Sequence, residues 1–204
     1  MLLPLDPSLE SDALRLLNED GVVRLVSILP GDLCDRLLES INSSLAKEIE
    51  LGNELTRETG FGNVHSRDYR WDVYLRNEGV YKEALGHMLG GDTCVLSRLF
   101  SSLFGGEDAE FHEFSALISD PGAVSQPIHP DSVYTERAPL YTVFIALQDV
   151  EPDMGATIFL PRTNTAHYHD QHNKKPDEKI EFLATCEYRQ CLARKGDAVI
   201  MVNI

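Results

Sequence analysis

The sequence predicts an α+β protein in which helices come first and short strands follow. Up to residue 106, apolar residues recur at helical spacing in segments that end at glycines, and beyond it short apolar runs alternate with Gly/Pro turns. With 204 residues, 43% of them hydrophobic, the chain is long enough to bury a core. We therefore expect a single domain over 1–204, mainly helical at 1–106, with jelly-roll or sandwich strands at 107–204.

Four helices and one strand are predicted in the first half, and their boundaries follow from glycines, a proline and a capping residue. The longest helix opens at Pro30 and carries an apolar stripe from Leu33 to Ile49, which is typical of core packing. The first helix stops at Gly21. The predicted elements are a helix over 9–20, a strand over 22–26, and helices over 30–51, 80–89 and 92–104, the last with Asp92 as its N-cap.

Residues 53–79 are polar and show little periodicity, so a loop is predicted there. This stretch contains a charged and aromatic cluster from His65 to Trp71. Arg, Tyr and Trp are good recognition groups, so one interpretation is a loop that faces a substrate. The alternative is a solvated loop that Trp71 anchors to the core.

The second half is predicted to consist of short strands separated by turns. The segment 140–147 is almost wholly apolar or β-forming, which predicts a strand covered on both faces. A polar stretch containing His167, His169 and His172 interrupts the strands, and we interpret it as a solvated, mobile loop. The predicted strands span 111–119, 124–129, 140–147, 156–160, 188–193 and 198–202. The last of them has the composition of a central, buried strand, and because the sequence ends just after it, its backbone groups are expected to be left unmatched.

Composition excludes several classes of partner. The net charge of −15 argues against nucleic acid or an anionic membrane surface. No apolar run is long enough to span a bilayer, and the first residues lack the basic and apolar regions of a signal peptide. The 4 cysteines form no C-x-x-C pair, so we expect reduced, mostly buried thiols. A cytoplasmic protein is predicted, and its oligomeric state stays open.

The triplet His129-Pro130-Asp131 is the candidate metal site. Positions i and i+2 of an extended strand point to the same face, and Pro130 pushes His129 towards the β region. Both side chains can then reach one cation, and an imidazole with a carboxylate makes up two thirds of the facial triad that holds non-haem Fe(II). The alternative is a turn in which Asp131 caps a backbone amide and His129 faces solvent.

Five further segments give this triplet its context, and their order along the chain is more specific than any one of them. They are Ser119–Ala123, Gln126–Asp131, Ala146–Asp149, Met154–Thr163 and Lys195–Ile200. Together with the start at Gly21, they resemble the phytanoyl-CoA dioxygenase family over about residues 21–202. This family is a branch of the Fe(II)/2-oxoglutarate oxygenases, and the resemblance implies a double-stranded β-helix (a cupin-like jelly roll) with N-terminal helices packed on it.

The resemblance also implies a function and a set of site residues. The expected activity is that of an Fe(II)/2-oxoglutarate-dependent hydroxylase acting on an unknown small or lipid-like substrate. His129 and Asp131 match the family's first two iron ligands. Gln126, Thr142 and Phe144 match positions near its 2-oxoglutarate, and Thr142 and Phe144 share one strand face. The alternative for Thr142 and Phe144 is ordinary core packing.

The sequence departs from the family at its C-terminal end. A second histidine ligand and an arginine for the distal carboxylate of 2-oxoglutarate follow the last strand in the family, whereas this sequence ends at Ile204. We therefore expect the last strands to be missing and the reading frame to continue. Asn164 stands where the family often has histidine, and Arg162 replaces a glycine. The three histidines of the polar stretch are not expected to substitute, while Arg162 or Arg137 could take over the carboxylate.

Two functions remain open at this point. The first is an oxygenase that, with the sequence as given, turns over 2-oxoglutarate slowly or not at all. The second is a non-catalytic jelly-roll binding or scaffold protein, because the metal triad is incomplete in the sequence. Fold alone does not choose between them, whereas the stoichiometry of bound metal does.

Overall fold

The computed structural model describes residues 1–50, 61–63, 69–105, 110–136 and 140–203. Helices and strands both occur, so the predicted mixture of α and β structure is confirmed. The helices are α1 (Glu10–Asp20), α2 (Gly31–Glu50), α3 (Gly79–Leu89), α4 (Val95–Leu103), α5 (Ala166–His172) and α6 (Pro176–Thr185). The strands are β1 (Pro4–Leu5), β2 (Val22–Leu25), β3 (Phe61–Asn63), β4 (Arg70–Tyr74), β5 (Ser115–Ser119), β6 (Leu140–Ile145), β7 (Ile158–Phe159), β8 (Arg189–Gln190) and β9 (Ala198–Asn203).

The chain forms two compact units. The terminal unit combines Met1–Ile28 with Pro127–Ile204, and the central unit is Leu29–Gln126. The terminal unit holds the four-stranded sheet β1-β2-β9-β6 and the pair β7-β8, with α1, α5 and α6. The central unit holds the sheet β3-β4-β5 with α2, α3 and α4. The assignment of residues 1–204 to a single domain stays a prediction.

Strand β9 lies in the middle of the four-stranded sheet, antiparallel to both β2 and β6. Ala198, Val199 and Ile200 are buried, so the prediction of a central, buried strand is confirmed. The prediction that its backbone groups are left unmatched is wrong, because β9 pairs with a strand on each side. The register pairs Ala198 with both Leu25 and Ile145 and extends as far as Asn203 opposite Leu140.

Strand β6 differs from its prediction. Within the described part of the chain it pairs only with β9 and forms an edge of the sheet. Its residues are half-buried, apart from the exposed Leu140, so it is not covered on both faces. An apolar run indicates that a segment forms a strand, but it does not indicate how many strands pair with it. The edge position of β6 could therefore not be predicted from the sequence pattern.

Helix α1 packs against β2 and β9 of this sheet, and its Ala13 and Leu17 are buried. One face of the sheet, called the inner face here, carries Thr142 and Phe144 of β6 in register with Met201 and Val199 of β9. A hydrophobic cluster on this side joins the sheet to the β7-β8 pair. It consists of Leu2, Val22 and Val199, with Phe144, Phe159, Cys191 and Met201 packed against it.

The helix boundaries of the first half follow the predictions closely. Helix α1 ends at Gly21, which adopts a φ of +74° and donates its N–H to the carbonyl of Leu17. The α2 stripe is buried at Leu33, Leu37, Ile41 and Leu45. Helix α4 starts three residues later than predicted, with Cys94 rather than Asp92 as its N-cap.

The central unit corrects the prediction of a loop over 53–79. Strands β3 and β4 occupy part of this region, and β4 pairs with β5. Trp71 is half-buried in β4 and donates its indole N–H to Asp120 at 3.0 Å. This contact fits the interpretation of Trp71 as an anchor. Residues 53–60 and 64–68 lie outside the described residues.

The second half contains fewer and shorter strands than predicted. Strand β5 begins only at Ser115, β7 and β8 span 2 residues each, and no strand forms over 124–129. Two helices, α5 and α6, replace the predicted polar loop, and Tyr168 packs its ring on Phe182 at 5.6 Å between them. Polar helices of this kind carry little hydrophobic periodicity, so their sequence resembles that of a loop.

A buried ion pair joins β2 to the turn before β9. Arg24 donates from Nε and Nη2 to Asp197 Oδ2 at 2.9 and 2.6 Å. The backbone N–H groups of Ser27 and Arg194 donate to the same carboxylate at 3.0 and 2.9 Å. Asp197 thus accepts hydrogen bonds from four donors and holds the turn at Gly196-Asp197 against β2.

Two remaining sequence expectations concern the cysteines and the membrane. No disulfide links the four cysteines; Cys34 is buried, whereas Cys94, Cys186 and Cys191 are partly exposed. The expectation of mostly buried thiols therefore holds for Cys34 alone among them. Across the described residues, none of the helices combines the length and the apolar character needed to cross a bilayer.

Candidate metal centre

The structure brings His129 and Asp131 together, although not on a strand. Residues 123–130 are irregular, and the chain bends at Asp131 and Ser132. His129 Nε2 lies 3.6 Å from Asp131 Oδ1. The predicted strand is wrong, but the two-residue spacing still places an imidazole nitrogen beside a carboxylate oxygen.

A backbone contact fixes the orientation of the His129 ring. Its Nδ1 lies 2.7 Å from the carbonyl oxygen of Pro127. A carbonyl oxygen can only accept, so Nδ1 carries a proton, and in the neutral ring the lone pair is on Nε2, on the side of Asp131. Metal-binding histidines use this arrangement, in which one ring nitrogen donates to a backbone carbonyl and the other serves as a ligand.

The donor set fits a divalent transition metal such as Fe(II). An imidazole nitrogen and a carboxylate oxygen face each other, and about two fifths of each side chain is solvent-accessible (38% and 41%). Among the described residues, no three His, Cys, Asp or Glu side chains form a group that could hold a metal ion. The described chain therefore offers two ligands at this point.

The three histidines predicted to lie in a mobile, solvated loop are instead on or beside helix α5, and that prediction is wrong. His169 is buried, and its ring lies 5.6 Å from that of Tyr134. His172 is half-buried, and its Nε2 lies 3.1 Å from the carbonyl oxygen of Ile128. Helix α5 thus contacts the segment on both sides of the His129–Asp131 pair.

His172 supports the backbone of this segment rather than adding a ligand to it. Its Nε2 donates to the carbonyl of Ile128, the residue before His129, because the carbonyl can only accept. Its Nδ1 is buried and has no hydrogen-bond partner in the described part of the chain. His167 is exposed on α5. The contact between His172 and Ile128 spans 44 residues of sequence, and no local pattern reveals it.

Thr142 and Phe144, predicted near 2-oxoglutarate, lie on the inner face of the sheet. Phe144 packs in the hydrophobic cluster, as the alternative of core packing requires. Thr142 has a polar neighbour, because Asn203 donates from Nδ2 to its hydroxyl oxygen at 2.8 Å. Gln126, the third predicted residue, is half-buried in the central unit.

Asn203 is the site residue that the sequence reasoning missed. Its backbone carbonyl accepts a hydrogen bond from the hydroxyl of Ser132 at 2.9 Å. Ser132 directly follows Asp131, so Asn203 links the candidate ligand segment to Thr142. Strand alternation places Asn203 on the same face as Met201, and a polar residue at the buried end of an apolar strand was the available signal.

The residues that depart from the family pattern have structural partners. Arg162 adopts a φ of +65° and pairs with Glu187, so its left-handed backbone explains a glycine at the corresponding family position. Asn164 donates from Nδ2 to the carbonyl of Asn18 at 3.2 Å, near the end of α1. Arg137 lies outside the described residues.

Solved structures share this fold. AviO1 from Streptomyces viridochromogenes matches with a TM-score of 0.64 and 18% identity over 95% of this chain and 83% of that chain. The epimerase SnoN from nogalamycin biosynthesis, in complex with Fe3+, alpha ketoglutarate and nogalamycin RO, gives 0.64 and 16% over 97% and 75%. A prolyl-4-hydroxylase from Pseudomonas putida gives 0.56 and 17% over 96% and 86%. At these identities the likeness shows the fold.

Sequence comparison agrees with the fold. Dioxygenase olcK of Penicillium canescens is 24% identical over 155 residues, which cover 72% of this chain and 50% of that protein. The chain thus spans half the length of this curated relative. The phytanoyl-CoA dioxygenase (PhyH) family matches residues 17–202, which include β2, the first five residues of β9 and the His129–Asp131 pair. Over this range, the chain belongs to the phytanoyl-CoA dioxygenase family.

Proposed function

We propose that this chain contributes the iron- and 2-oxoglutarate-binding core of a phytanoyl-CoA dioxygenase-type hydroxylase that acts on a small or lipid-like substrate. The observation that carries the proposal is the His129–Asp131 pair, with 3.6 Å between Nε2 and Oδ1 and with Nδ1 anchored on a backbone carbonyl. Family membership and the SnoN complex with Fe3+ and alpha ketoglutarate support the choice of metal and cosubstrate. A double-stranded β-helix remains our proposal for the complete architecture.

Each predicted site residue has a distinct part in this proposal. His129 and Asp131 hold Fe(II), which supplies the activation of dioxygen when it is bound. Pro127 orients the His129 ring through Nδ1. Thr142 would donate a hydrogen bond from its hydroxyl to a carboxylate of 2-oxoglutarate, and Phe144 would exclude water from that part of the inner face. A role for Gln126 in binding 2-oxoglutarate is proposed from the family resemblance alone.

The reaction type proposed is hydroxylation, because olcK is named a dioxygenase and one structural neighbour is a prolyl-4-hydroxylase. Related structures also include an epimerase and a carbocyclase that depend on alpha ketoglutarate. The product therefore depends on how a substrate is placed beside the metal, and the proposal describes that substrate only as small or lipid-like.

A non-catalytic binding or scaffold protein is the second candidate. It is favoured by one observation, namely that the described residues bring together two metal ligands and not three. Two ligands hold a cation less firmly than three, so both candidates predict weak metal binding. They differ in whether 2-oxoglutarate is converted.

The test begins with metal binding. Apo-protein is titrated with Co(II) or, under anaerobic conditions, with Fe(II), and the double variant His129→Ala/Asp131→Ala is compared with the wild type. We expect weak, one-to-one binding that the double variant loses. His167→Ala is the matched control, because it removes an exposed imidazole from α5. Equal binding by the wild type and the double variant would place the metal elsewhere.

The second part of the test measures iron-dependent release of succinate from 2-oxoglutarate. We expect slow release, because the described residues bring two metal ligands together, and two ligands hold a cation less firmly than three. Metal binding without any succinate release, even at high cosubstrate concentration, would favour the scaffold. Rapid release would contradict the expectation that the metal is held weakly.

A further inference from the structure

Asn203 is a polar residue in a buried position at the end of β9. Its exposed fraction is 5%, and the register places it opposite Leu140, on the same face of the sheet as Thr142. Burying a primary amide is unfavourable unless its donors and acceptors find partners. The hydrogen-bond partners of Asn203 therefore indicate the role of this residue.

Three observations define these contacts. The side chain donates from Nδ2 to Thr142 Oγ1 at 2.8 Å. The backbone carbonyl accepts from Ser132 Oγ at 2.9 Å. The amide oxygen Oδ1 is buried and has no hydrogen-bond partner among residues 1–50, 61–63, 69–105, 110–136 and 140–203.

The first contact determines what the Thr142 hydroxyl can do. A hydroxyl group has one proton and two acceptor positions. Because Asn203 Nδ2 donates to this oxygen, the hydroxyl proton points away from the amide and is directed to another acceptor. A carboxylate has only acceptor atoms, so it is the complementary ligand group. The amide is neutral and adds no charge that would repel such an anion.

The second contact connects this hydroxyl to the candidate metal ligands. Ser132 follows Asp131 directly in the chain, and its hydroxyl is bound to the backbone of Asn203. The strand end at Asn203 thus contacts both the ligand-bearing segment and the Thr142 side chain. A displacement of this strand end would move the metal ligand and the hydroxyl together.

We propose that Asn203 is a positioning residue that makes the Thr142 hydroxyl a donor to a bound carboxylate and fixes it relative to Asp131 through Ser132. The inference rests on the proposed function, since it assumes that 2-oxoglutarate binds at Thr142.

The test uses the whole 204-residue chain loaded with Co(II), and 2-oxoglutarate binding is measured by calorimetry. Asn203→Asp keeps the shape of the side chain but can only accept at neutral pH, so the Thr142 proton must turn towards it. We expect about tenfold weaker binding of 2-oxoglutarate, as for the loss of one hydrogen bond to a charged group. Thr142→Val should weaken binding by a similar factor, and Thr142→Ser should restore it.

A double-mutant cycle separates positioning from a merely structural role. Asn203→Ala should weaken 2-oxoglutarate binding in the wild-type background but have little effect in the Thr142→Val background, because it acts through that hydroxyl. Co(II) affinity in the absence of 2-oxoglutarate and the melting temperature of each variant serve as controls. If Asn203→Asp does not fold, the Asn203→Ala cycle alone decides the matter.

The possible failures are distinguishable. Wild-type protein that binds Co(II) but no 2-oxoglutarate overturns both the proposed cosubstrate site and this inference. Wild-type binding that Asn203→Asp and Asn203→Ala leave unchanged overturns the inference alone. An Asn203→Ala effect of equal size in both Thr142 backgrounds also overturns it, since the residue would then act independently of the hydroxyl.

Discussion

The substitution Asp197→Asn tests the ion pair that joins β2 to the turn before β9. Asp197 is 2% exposed and Arg24 is 8% exposed, so both charges lie in the interior. The carboxylate accepts two hydrogen bonds from the guanidinium, and the backbone N–H groups of Ser27 and Arg194 supply two more. Asparagine preserves the size of the side chain while it removes the charge and one acceptor oxygen.

Asp197→Asn is expected to lower the free energy of unfolding, because the Arg24 guanidinium stays buried without its anionic partner. Removing one partner of a buried ion pair typically costs about 3–5 kcal/mol, because the other charge stays desolvated and unpaired. Asparagine can still accept through its single oxygen, so we expect the lower end, about 3 kcal/mol. A domain of this size has a free energy of unfolding of only about 5–15 kcal/mol, so the effect is large.

Urea denaturation followed by circular dichroism measures this loss as a fall in the midpoint at constant slope. Glu83→Gln is the matched control, since it breaks the Arg36–Glu83 pair, whose contacts of 2.6 and 2.8 Å are as short but whose side chains are half exposed. We expect this control to leave the midpoint nearly unchanged.

The double variant Arg24→Met/Asp197→Asn completes the cycle. Because it removes the stranded cation, it should be more stable than Asp197→Asn alone. The reasoning is refuted if Asp197→Asn costs no more than Glu83→Gln, or if Arg24→Met in the same chain gives no recovery.

Three further predictions concern single residues. His172→Phe should weaken Co(II) binding roughly two- to tenfold through the lost bond to Ile128, and equal affinity to a His167→Phe control would contradict this. Arg162→Gly should raise the free energy of unfolding in urea by up to about 1 kcal/mol, because it relieves a φ of +65°; an equal rise for Arg162→Ala, which keeps Cβ, would count against it. Burial raises the pKa of the Cys191 thiol from 9.0 to about 11, so its alkylation by iodoacetamide at pH 8 should be much slower in the native protein than in urea, and equal rates would refute this.

The Cys191 shift also has a consequence for stability. Between pH 9 and 11 the unfolded thiol loses its proton while the folded one keeps it, so the folded state binds more protons over this range. Stability contributed by Cys191 is therefore complete below pH 9 and decreases as the pH rises towards 11. Replacement by serine should make the alkaline decrease in the urea midpoint smaller.

The parts of the fold that the sequence predicted are those with a local physical cause. Gly21 ends α1 because a left-handed residue is needed there, and the α2 stripe is buried because it repeats at helical spacing. Strand β9 was recognised from its apolar, β-branched composition. Helices α5 and α6 were missed, because their polar positions carry no continuous apolar stripe, and the edge position of β6 was missed because it depends on which strands pair.

In the candidate site, too, the residues with a local sequence signal were predicted and those brought in by long-range contacts were not. His129 and Asp131 were found because their spacing of two residues is itself a local signal, and it survives although the segment is not a strand. Their supporting contacts come from His172 and Asn203, which are 44 and 71 residues away from Ile128 and Ser132. Such contacts exist only after the chain has folded, and a single sequence holds no trace of the pairing.

The two ends of strand β9 take part in different kinds of contact. At its start, Asp197 binds Arg24 of β2 through a buried ion pair, and at its end Asn203 binds Thr142 of β6 and Ser132 through neutral hydrogen bonds. Loss of Asp197 leaves the charge of Arg24 buried and unpaired, so it should lower the stability of the whole terminal unit. Loss of the Asn203 side chain strands no charge and changes the direction of one hydroxyl proton, so it should alter ligand binding more than stability. We therefore expect Asp197, just before β9, to maintain the fold, and Asn203, at the end of β9, to orient a hydroxyl group of the candidate site.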